Sequence, residues 1–292
     1  RLHNSDDAAK RTEQRINKHV PADIQRTLVK DLSVNKITKW RDGMVKQGDD
    51  ETMRKSKDSA NRTLAMFKAA LNYAYDREIT ADPRWNKVKG FAGVTKGKVL
   101  LLTDEQITTL LRATEGGFHN LCMVAVLTGA RYGELREAKV QDFNAKSGTL
   151  TLRTRKGRGG VVREREAMLS DEAVTFLKQV TKTSLPTAYL LTKDDGTPWG
   201  KSHQHRPWKE AVRKTAQSRN KADRMPAEAV FYDMRHYHIS KAMMAHVPLK
   251  LIADNCGTST QMIERTYGKA TEQYKRDMFN SIGLMSGNTL QA

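Results

Sequence analysis

The stretch of residues 232–267, YDMRHYHISKAMMAHVPLKLIADNCGTSTQMIERTY, decides how the second half of the chain folds. A helix that starts near its beginning must end before Pro248, because proline cannot continue a helix and restricts the residue before it. A second helix starts at Pro248 and stops at Gly257, since glycine enters the left-handed cap conformation freely. The hydroxyls of residues 258–260 can cap a third helix, which Gly268 closes. The stretch therefore predicts three short helices.

Tyr267 lies in the last turn of the third predicted helix, directly before Gly268. We expect this position to present the side chain on a mobile element rather than lock it in a core. A lone tyrosine is more often an ordinary, half-buried aromatic residue. A functional interpretation of Tyr267 therefore depends on other residues of the chain.

The charge of the chain indicates a polyanionic partner. Its 292 residues include 51 Lys and Arg against 33 Asp and Glu, a net charge of +18. Residues 1–100 carry 22 basic and 13 acidic side chains and the remainder carries 29 and 20, so each part contributes +9. A partner that touches both parts is favoured, and nucleic acid is the leading candidate. A soluble basic protein without such a partner is the alternative.

The composition argues against a membrane span and a metal site. No apolar run approaches the ~18–20 residues that a membrane span requires. Cys122 and Cys256 lack metal-type spacing and predict two free thiols in a reducing compartment. The histidines form two pairs, His203 with His205 and His236 with His238. Residues two positions apart on a helix point to different faces, so neither pair suits a shared metal ion. We therefore predict no metal.

The first hundred residues predict a small helical domain between two charged segments. Residues 1–20 are expected to form a loose charged leader, and residues 81–100, with three glycines and four lysines, a basic interdomain linker. Three segments between them have helical patterns: DIQRTLVKDL, VNKITKWRDGMVKQ with Ser33 as N-cap, and residues 59–78. Residues 21–80 are therefore predicted to form a helical, DNA-gripping domain.

A buried helix is predicted to deliver Arg131. Residues 121–127 are uniformly apolar, and the helix that contains them ends at Gly129. A guanidinium at the end of a buried helix must be paired, and Glu134, one turn further on, is the obvious internal partner. A simple surface ion pair of Arg131 or Arg136 with Glu134 is the alternative.

A basic hairpin follows within the second predicted domain, residues 101–279. The segments GTLTLRT and VVREREAM predict two strands joined by the glycine-rich turn RKGRGG. The tip presents Lys156, which is either a solvated turn residue or a mobile proton donor. Helices are predicted over residues 170–180 and 207–218. Residues 280–292 have few apolar side chains and are expected to form a tail, free or docked on another molecule.

Four chemistry-bearing residues occur in order: Arg131 in TGARYGEL, Lys156 in TRKGRGG, Arg235 in YDMRH and Tyr267 in CGTSTQMIERTYG. Over residues 101–275 this set resembles the tyrosine recombinase (phage integrase) family. The preceding helical part resembles the family's core-binding domain, whereas its N-terminal arm-binding domain is not evident. The resemblance implies a mainly α fold, with a small helical core-binding domain and a mixed α+β catalytic domain that contains a small antiparallel sheet.

The resemblance implies a site-specific DNA recombinase or integrase that cleaves and rejoins DNA through a covalent 3′-phosphotyrosine intermediate, without metal, cofactor or ATP. Tyr267 is implied as the nucleophile and Lys156 as the general acid, and both arginines stabilise the negative charge on phosphate oxygens. Six residues are implied to act on the phosphate: Arg131, Lys156, Tyr232, Arg235, Thr258 and Tyr267.

Two of these positions depart from the commonest family pattern. Tyr232 stands where a histidine usually precedes the second arginine, and Thr258 stands where histidine or tryptophan usually follows the glycine. Both replacements can still donate a hydrogen bond. Glu134 and His236 are assigned supporting positions beside the arginines.

The implied partner is double-stranded DNA with specific recombination sites, bound by a homotetramer on synapsed duplexes. The need for accessory DNA-bending proteins is left open, no membrane partner is expected, and a cytoplasmic location at the prokaryotic nucleoid is implied. Seven basic residues are expected to contact DNA: Arg62, Lys68, Lys87, Lys89, Lys96, Lys98 and Arg158. Three alternatives remain: a type IB topoisomerase, a catalytically inactive DNA-binding regulator on the same fold, and a non-specific DNA-compacting protein.

Overall fold

The computed structural model describes residues 6–94, 99–155 and 162–268, together with residues 272, 275 and 276. The chain divides into two compact units, of which the first lies essentially within residues 1–97 and the second comprises most of the remainder. Four of the predicted site residues, Lys96, Lys98, Lys156 and Arg158, lie outside the described residues, as does the predicted tail at 280–292.

The first unit is built from four helices and two short 3₁₀ turns among its described residues. They are α1 (Asp6–His19), α2 (Ala22–Gln25), a 3₁₀ turn (Val29–Asp31), α3 (Val34–Gly43), α4 (Asp50–Tyr75) and a second 3₁₀ turn (Arg84–Lys87). The predicted Ser33 N-cap of α3 is confirmed, since its hydroxyl accepts the amide of Lys36 at 3.1 Å. The core contains Ile37, Trp40, Phe67 and Trp85.

Three expectations for this unit were wrong. Residues 6–19 are not a loose leader, because helix α1 packs on α4 and Arg15 donates hydrogen bonds to Thr63 and Ser59. The segment DIQRTLVKDL does not form one helix but splits into α2 and a 3₁₀ turn. Helix α4 begins nine residues before the predicted start at residue 59, where Asp49 accepts the amide of Thr52.

The predicted linker is also partly wrong. Trp85 and Val88 are buried in the core of the first unit, and the indole of Trp85 donates to Asn72 at 2.6 Å. Asn61 exchanges two hydrogen bonds with the backbone of Phe91. Residues 81–94 therefore belong to the first unit, because their apolar side chains complete its core.

The second unit contains eight helices and one small sheet among its described residues. The helices are α5 (Asp104–Arg112), α6 (Gly116–Thr128), α7 (Tyr132–Leu135), α8 (Asp171–Thr181), α9 (His205–Thr215), α10 (Asp233–Met244), α11 (Leu249–Cys256) and α12 (Thr260–Thr266). The strands are β1 (Phe143–Asn144), β2 (Thr149–Arg155) and β3 (Val162–Met168), and 3₁₀ turns occur at Val140–Asp142 and Lys221–Asp223. The predicted mainly α fold with a small antiparallel sheet is confirmed.

The sheet is antiparallel in the order β1-β2-β3. Leu152 of β2 lies opposite Arg165 of β3, and Leu150 lies opposite Ala167. Because cross-strand partners share a face, Arg165 extends the buried face that the two leucines begin. The predicted hairpin is confirmed, whereas the two-residue strand β1 was not predicted.

Local rules placed the ends of several helices correctly. Thr103 and Gln106 form the predicted capping box at the start of α5. Gly129 and Gly257 end α6 and α11 with φ of +60° and +62°, in the left-handed region that favours glycine. The N-cap of α12 is Ser259, whose hydroxyl accepts the amide of Met262 at 3.2 Å.

Candidate active site

Arg131 emerges directly after the left-handed turn that ends helix α6. Its Nη1 donates to Glu134 Oε1 at 2.9 Å, and its backbone amide donates to Glu134 Oε2 at 2.9 Å. Its Nη2 donates to the carbonyl oxygen of Gly257 at 2.8 Å. The predicted internal pairing with Glu134 is therefore present in the structure. The bond to Gly257 connects this guanidinium to the turn before the helix that leads to Tyr267.

Glu134 is a buried carboxylate, 3% exposed, that joins three elements. Besides Arg131, it accepts hydrogen bonds from Thr154 of strand β2 at 2.5 Å and from Arg165 of strand β3 at 2.9 Å. Burial raises the pKa of Glu134, but Arg165, Thr154 and Arg131 together outweigh burial and hold this pKa below its ordinary value. Glu134 is therefore ionised and fixes Arg131, Arg165 and the end of β2.

Arg165 is a further basic residue of this cluster that the sequence reasoning missed. Its Nη2 binds Glu134, whereas its Nε and Nη1 are buried without a hydrogen-bond partner. Burial lowers the pKa of Arg165, Glu134 opposes that effect, and the nearby Arg235 and Arg131 add to it. Strand alternation offered a signal, because VREREAM places its two arginines and its alanine on one face and its glutamates on the other.

Arg235 lies in the first turn of α10 and is 3% exposed. Its Nη1 donates to the carbonyl oxygen of Gly129 at 2.7 Å. Arg235 and Arg131, the two arginines implied to stabilise the phosphate, are thus held by the two glycine caps, at the ends of α6 and α11 respectively. The two turns that the glycines predict from sequence therefore also fix the positions of the two guanidiniums.

Tyr232 and Thr258 both line an open cavity of about 850 Å³. Arg131, Thr154, Arg163 and Arg165 line the same cavity. Tyr232 is 46% exposed and its ring meets His236 edge-on, with ring centroids 5.1 Å apart. Because Ser259 caps helix α12, the half-buried Thr258 hydroxyl is not used as the cap.

Tyr267 is only 5% exposed, so the expectation that it is presented rather than locked in a core is wrong. It packs with Ile239, Ile252 and Ile263 in a core cluster of α10, α11 and α12. Its hydroxyl lies 2.7 Å from Nδ1 of His236. Burial raises the pKa of Tyr267, which keeps the phenol protonated.

The predicted DNA contacts in the described part of the first unit have different surroundings. Lys87 and Lys89 are exposed. Arg62 is largely exposed and pairs with Asp58 at 2.5 Å. Lys68 is half-buried and donates to the carbonyl of Val88 at 3.1 Å, and burial lowers its pKa.

Two classes of site are not found among the described residues. No group of three or more His, Cys, Asp or Glu side chains there could hold a metal ion. None of the helices in the described ranges has the length and apolarity that a membrane crossing requires.

Comparison with known proteins assigns the chain to a family. The model of the phage integrase family matches residues 101–273. The fold is similar to a Tn1549 transposon integrase in complex with transposon right-end DNA, at 16% identity, with 96% of this chain and 95% of that chain covered and a TM-score of 0.69. It is also similar to a lambda integrase dimer bound to a COC′ core site, at 17% identity, 89% and 90% coverage and a TM-score of 0.63. No curated protein sequence matches the chain.

The family match covers more than half of the chain and contains the cluster of arginines, Glu134 and Tyr267 described above. The chain therefore belongs to the phage integrase family. It is a tyrosine-type site-specific recombinase.

Proposed function

We propose that this protein cleaves and rejoins DNA at specific sites through a covalent 3′-phosphotyrosine intermediate formed by Tyr267, without metal or ATP. The observation that carries the proposal is that hydrogen bonds link Tyr267 and its helix to the segments that carry two guanidiniums. Arg235 lies one residue before His236, which bonds the Tyr267 hydroxyl, and Arg131 bonds the carbonyl of Gly257.

The charges of the cluster suit phosphoryl transfer. Attack on a phosphodiester builds negative charge on the non-bridging oxygens, and guanidiniums offer planar forks of donors to those oxygens. Arg131, Arg165 and Arg235 carry three positive charges against the single negative charge of Glu134. The cluster therefore has a net charge of about +2 before DNA arrives, which matches the doubly negative phosphorane that forms in the reaction.

The proton for the leaving 5′ oxygen is assigned to Lys156. Strand β2 ends at Arg155, the residue before this lysine. The bond from Thr154 to Glu134 holds the end of β2 against the arginine cluster. We propose that Lys156, the next residue in the sequence, acts as the general acid.

DNA and an oligomeric assembly are the proposed partners. The similar solved structures include integrases bound to DNA and a lambda integrase tetramer bound to a Holliday junction, which has 16% identity, 88% of this chain and 72% of that chain covered and a TM-score of 0.62. Both parts of this chain carry +9, which supports a DNA partner for each. We propose that Thr258 and Tyr232 donate to the same phosphate and that four copies act on two duplexes.

Covalent capture tests the proposed function. The chain is incubated with a pool of duplexes that have a randomised central segment and a nick in one strand, so that the released fragment diffuses away and religation is prevented. DNA that remains attached after denaturation is sequenced, and the attached peptide is mapped. We expect DNA on Tyr267 and enrichment of one sequence.

Two matched variants complete this test. Tyr267→Phe should capture no DNA while it retains non-covalent binding, and Tyr232→Phe should still capture DNA. Absence of capture by the unmodified chain favours a DNA-binding regulator and contradicts the proposal. Capture without sequence enrichment, together with relaxation of supercoiled plasmid, favours a topoisomerase instead.

A further inference from the structure

We propose that His236 accepts the proton of Tyr267 when the tyrosine attacks DNA phosphorus, and returns it when the DNA is rejoined. This inference rests on the proposed function and adds the base that the reaction requires. The histidine that usually precedes the second arginine in the family is replaced here by Tyr232, and a neutral phenol is a poor proton acceptor.

The geometry aligns the two groups for proton transfer. Nδ1 of His236 lies 2.7 Å from the Tyr267 hydroxyl oxygen, within the range of a strong O–H···N hydrogen bond. The two rings meet edge-on at 68°, with centroids 5.7 Å apart. When the neutral imidazole carries its proton on Nε2, Nδ1 accepts the hydrogen bond from the phenol.

No other acceptor is found for this hydroxyl among the described residues. Tyr232, which directly precedes α10, is a phenol, and Arg235 of α10 is a cation. Asp233 accepts the amide of Val230 at 2.7 Å at the start of that helix. Cys256 of α11 is fully buried, and burial raises the pKa of its thiol. His236 is therefore the base in position.

The surroundings keep the pair neutral until phosphate arrives. Burial and the neighbouring Arg235 lower the pKa of His236, so the ring is unprotonated at neutral pH and able to accept. Burial raises the pKa of Tyr267, so its proton stays on the phenol in the resting protein. As the phenol oxygen bonds to phosphorus, it becomes far more acidic, and the proton moves to Nδ1.

The step balances with the groups already named. The Tyr267 Oη–P bond forms, the P–O5′ bond breaks, and the O5′ oxygen takes a proton from Lys156. His236 becomes imidazolium beside the phosphotyrosine. In rejoining, the 5′ hydroxyl returns its proton to the neutral Lys156 amine and attacks phosphorus, the Tyr267 Oη–P bond breaks, and His236 returns its proton to the departing phenolate.

The first test measures the pH dependence of cleavage on a nicked duplex recovered from the pool. His236→Asn places an amide near the position of Nδ1 and can keep a hydrogen bond but cannot accept a proton. We expect a loss of about 10²–10⁴-fold at pH 7, the usual contribution of a general base. The difference should shrink by about tenfold per pH unit above neutrality, because the variant depends on phenolate formed by hydroxide.

The second test separates the base from the acid. In a duplex with sulfur as the 5′ bridging atom, the leaving group needs no proton. Lys156→Ala should recover on this substrate, whereas His236→Asn should remain slow. The unmodified chain should still lose activity on this substrate as pH falls below the lowered pKa of His236. This last measurement needs no variant, so a folding defect cannot obscure it.

His246→Asn is the matched control. His246 lies in the same unit with φ of +57°, a conformation that asparagine tolerates, and we expect unchanged cleavage. Three outcomes would each overturn the inference. The cleavage defect of His236→Asn could stay constant with pH, or this variant could recover fully on the sulfur substrate. The third outcome is that the unmodified chain loses no activity on the sulfur substrate as the pH falls. Failure of the unmodified chain to capture any DNA would instead refute the proposed function.

Discussion

Arg131 and Arg235 each donate a hydrogen bond to a backbone carbonyl, and a substitution of either arginine would remove this anchor together with the guanidinium charge. Each guanidinium gives one nitrogen to a glycine carbonyl, Gly257 or Gly129, and has further N–H groups for a ligand. The planar fork can hold the anchor and a phosphate oxygen at the same time. An ammonium on a flexible stem cannot reproduce both directions.

We therefore expect Arg131→Lys and Arg235→Lys each to lower the single-turnover cleavage rate by at least ~10²-fold, the scale of losing one preorganised donor. The measurement is covalent adduct formed per unit time on the nicked duplex, with DNA affinity determined in parallel. Near-normal cleavage by either lysine variant would contradict the proposed stabilisation of the phosphate by these two guanidiniums.

At the scale of elements, Glu134 holds α7, β2 and β3 together through four hydrogen bonds. Removal of its charge leaves the buried Arg165 without a counter-ion, because Nε and Nη1 of that residue have no partner among the described residues. Buried charges that lose their partner are strongly destabilising.

For Glu134→Gln we expect the free energy of unfolding to fall by about 3–5 kcal/mol, measured by urea denaturation. Glu137→Gln is the control, since Glu137 pairs with Arg136 at a partly exposed position and should change stability by less than about 1 kcal/mol. Equal effects of the two substitutions would argue against Glu134 as the link between these elements.

The helices and strands also differ in how far they could be predicted from sequence. Gly129, Pro248 and Gly257 act through their own backbones, so the three helices of residues 232–267 and the end of α6 followed from local rules. The packing of Trp85 and Val88 into the first unit depends on distant helices, and the pattern of residues 81–100 therefore indicated only a linker.

The candidate site could be predicted in part for similar reasons. Arg131 with Glu134 follows from one helical turn, whereas the bond between Glu134 and Arg165 joins residues 31 positions apart. The contact of His236 with Tyr267 likewise spans 31 positions. The burial of Tyr267 also depends on the packing of three helices, which explains why its expected exposure was wrong.

For the whole molecule, the charge of +18 predicts DNA binding that weakens steeply with salt. The double substitution Lys87→Ala with Lys89→Ala removes two exposed charges of the first unit. We expect it to reduce the slope of log Kd against log salt concentration by about 1–2, since each phosphate contact contributes ~0.9. Fluorescence anisotropy on the recovered duplex, in a Tyr267→Phe background, measures this slope.

Lys68→Ala is the matched control for this prediction. Its ammonium already donates to the carbonyl of Val88 and is half-buried, so the slope should stay within about 0.5 of the reference value. A larger change for Lys68→Ala than for the double variant would mean that Lys87 and Lys89 are not the contacts.

The hydrogen bond from Arg131 to the carbonyl of Gly257 has a geometric consequence for the reaction. The turn that contains Gly257 leads directly into α12 and hence to Tyr267. In the proposed reaction, a phosphate bound by Arg131 would be linked to Tyr267 through this guanidinium and helix α12. We therefore expect a joint displacement of α11 and α12 to carry Arg131 and Tyr267 with it, so that the distance between a bound phosphorus and the Tyr267 oxygen changes little.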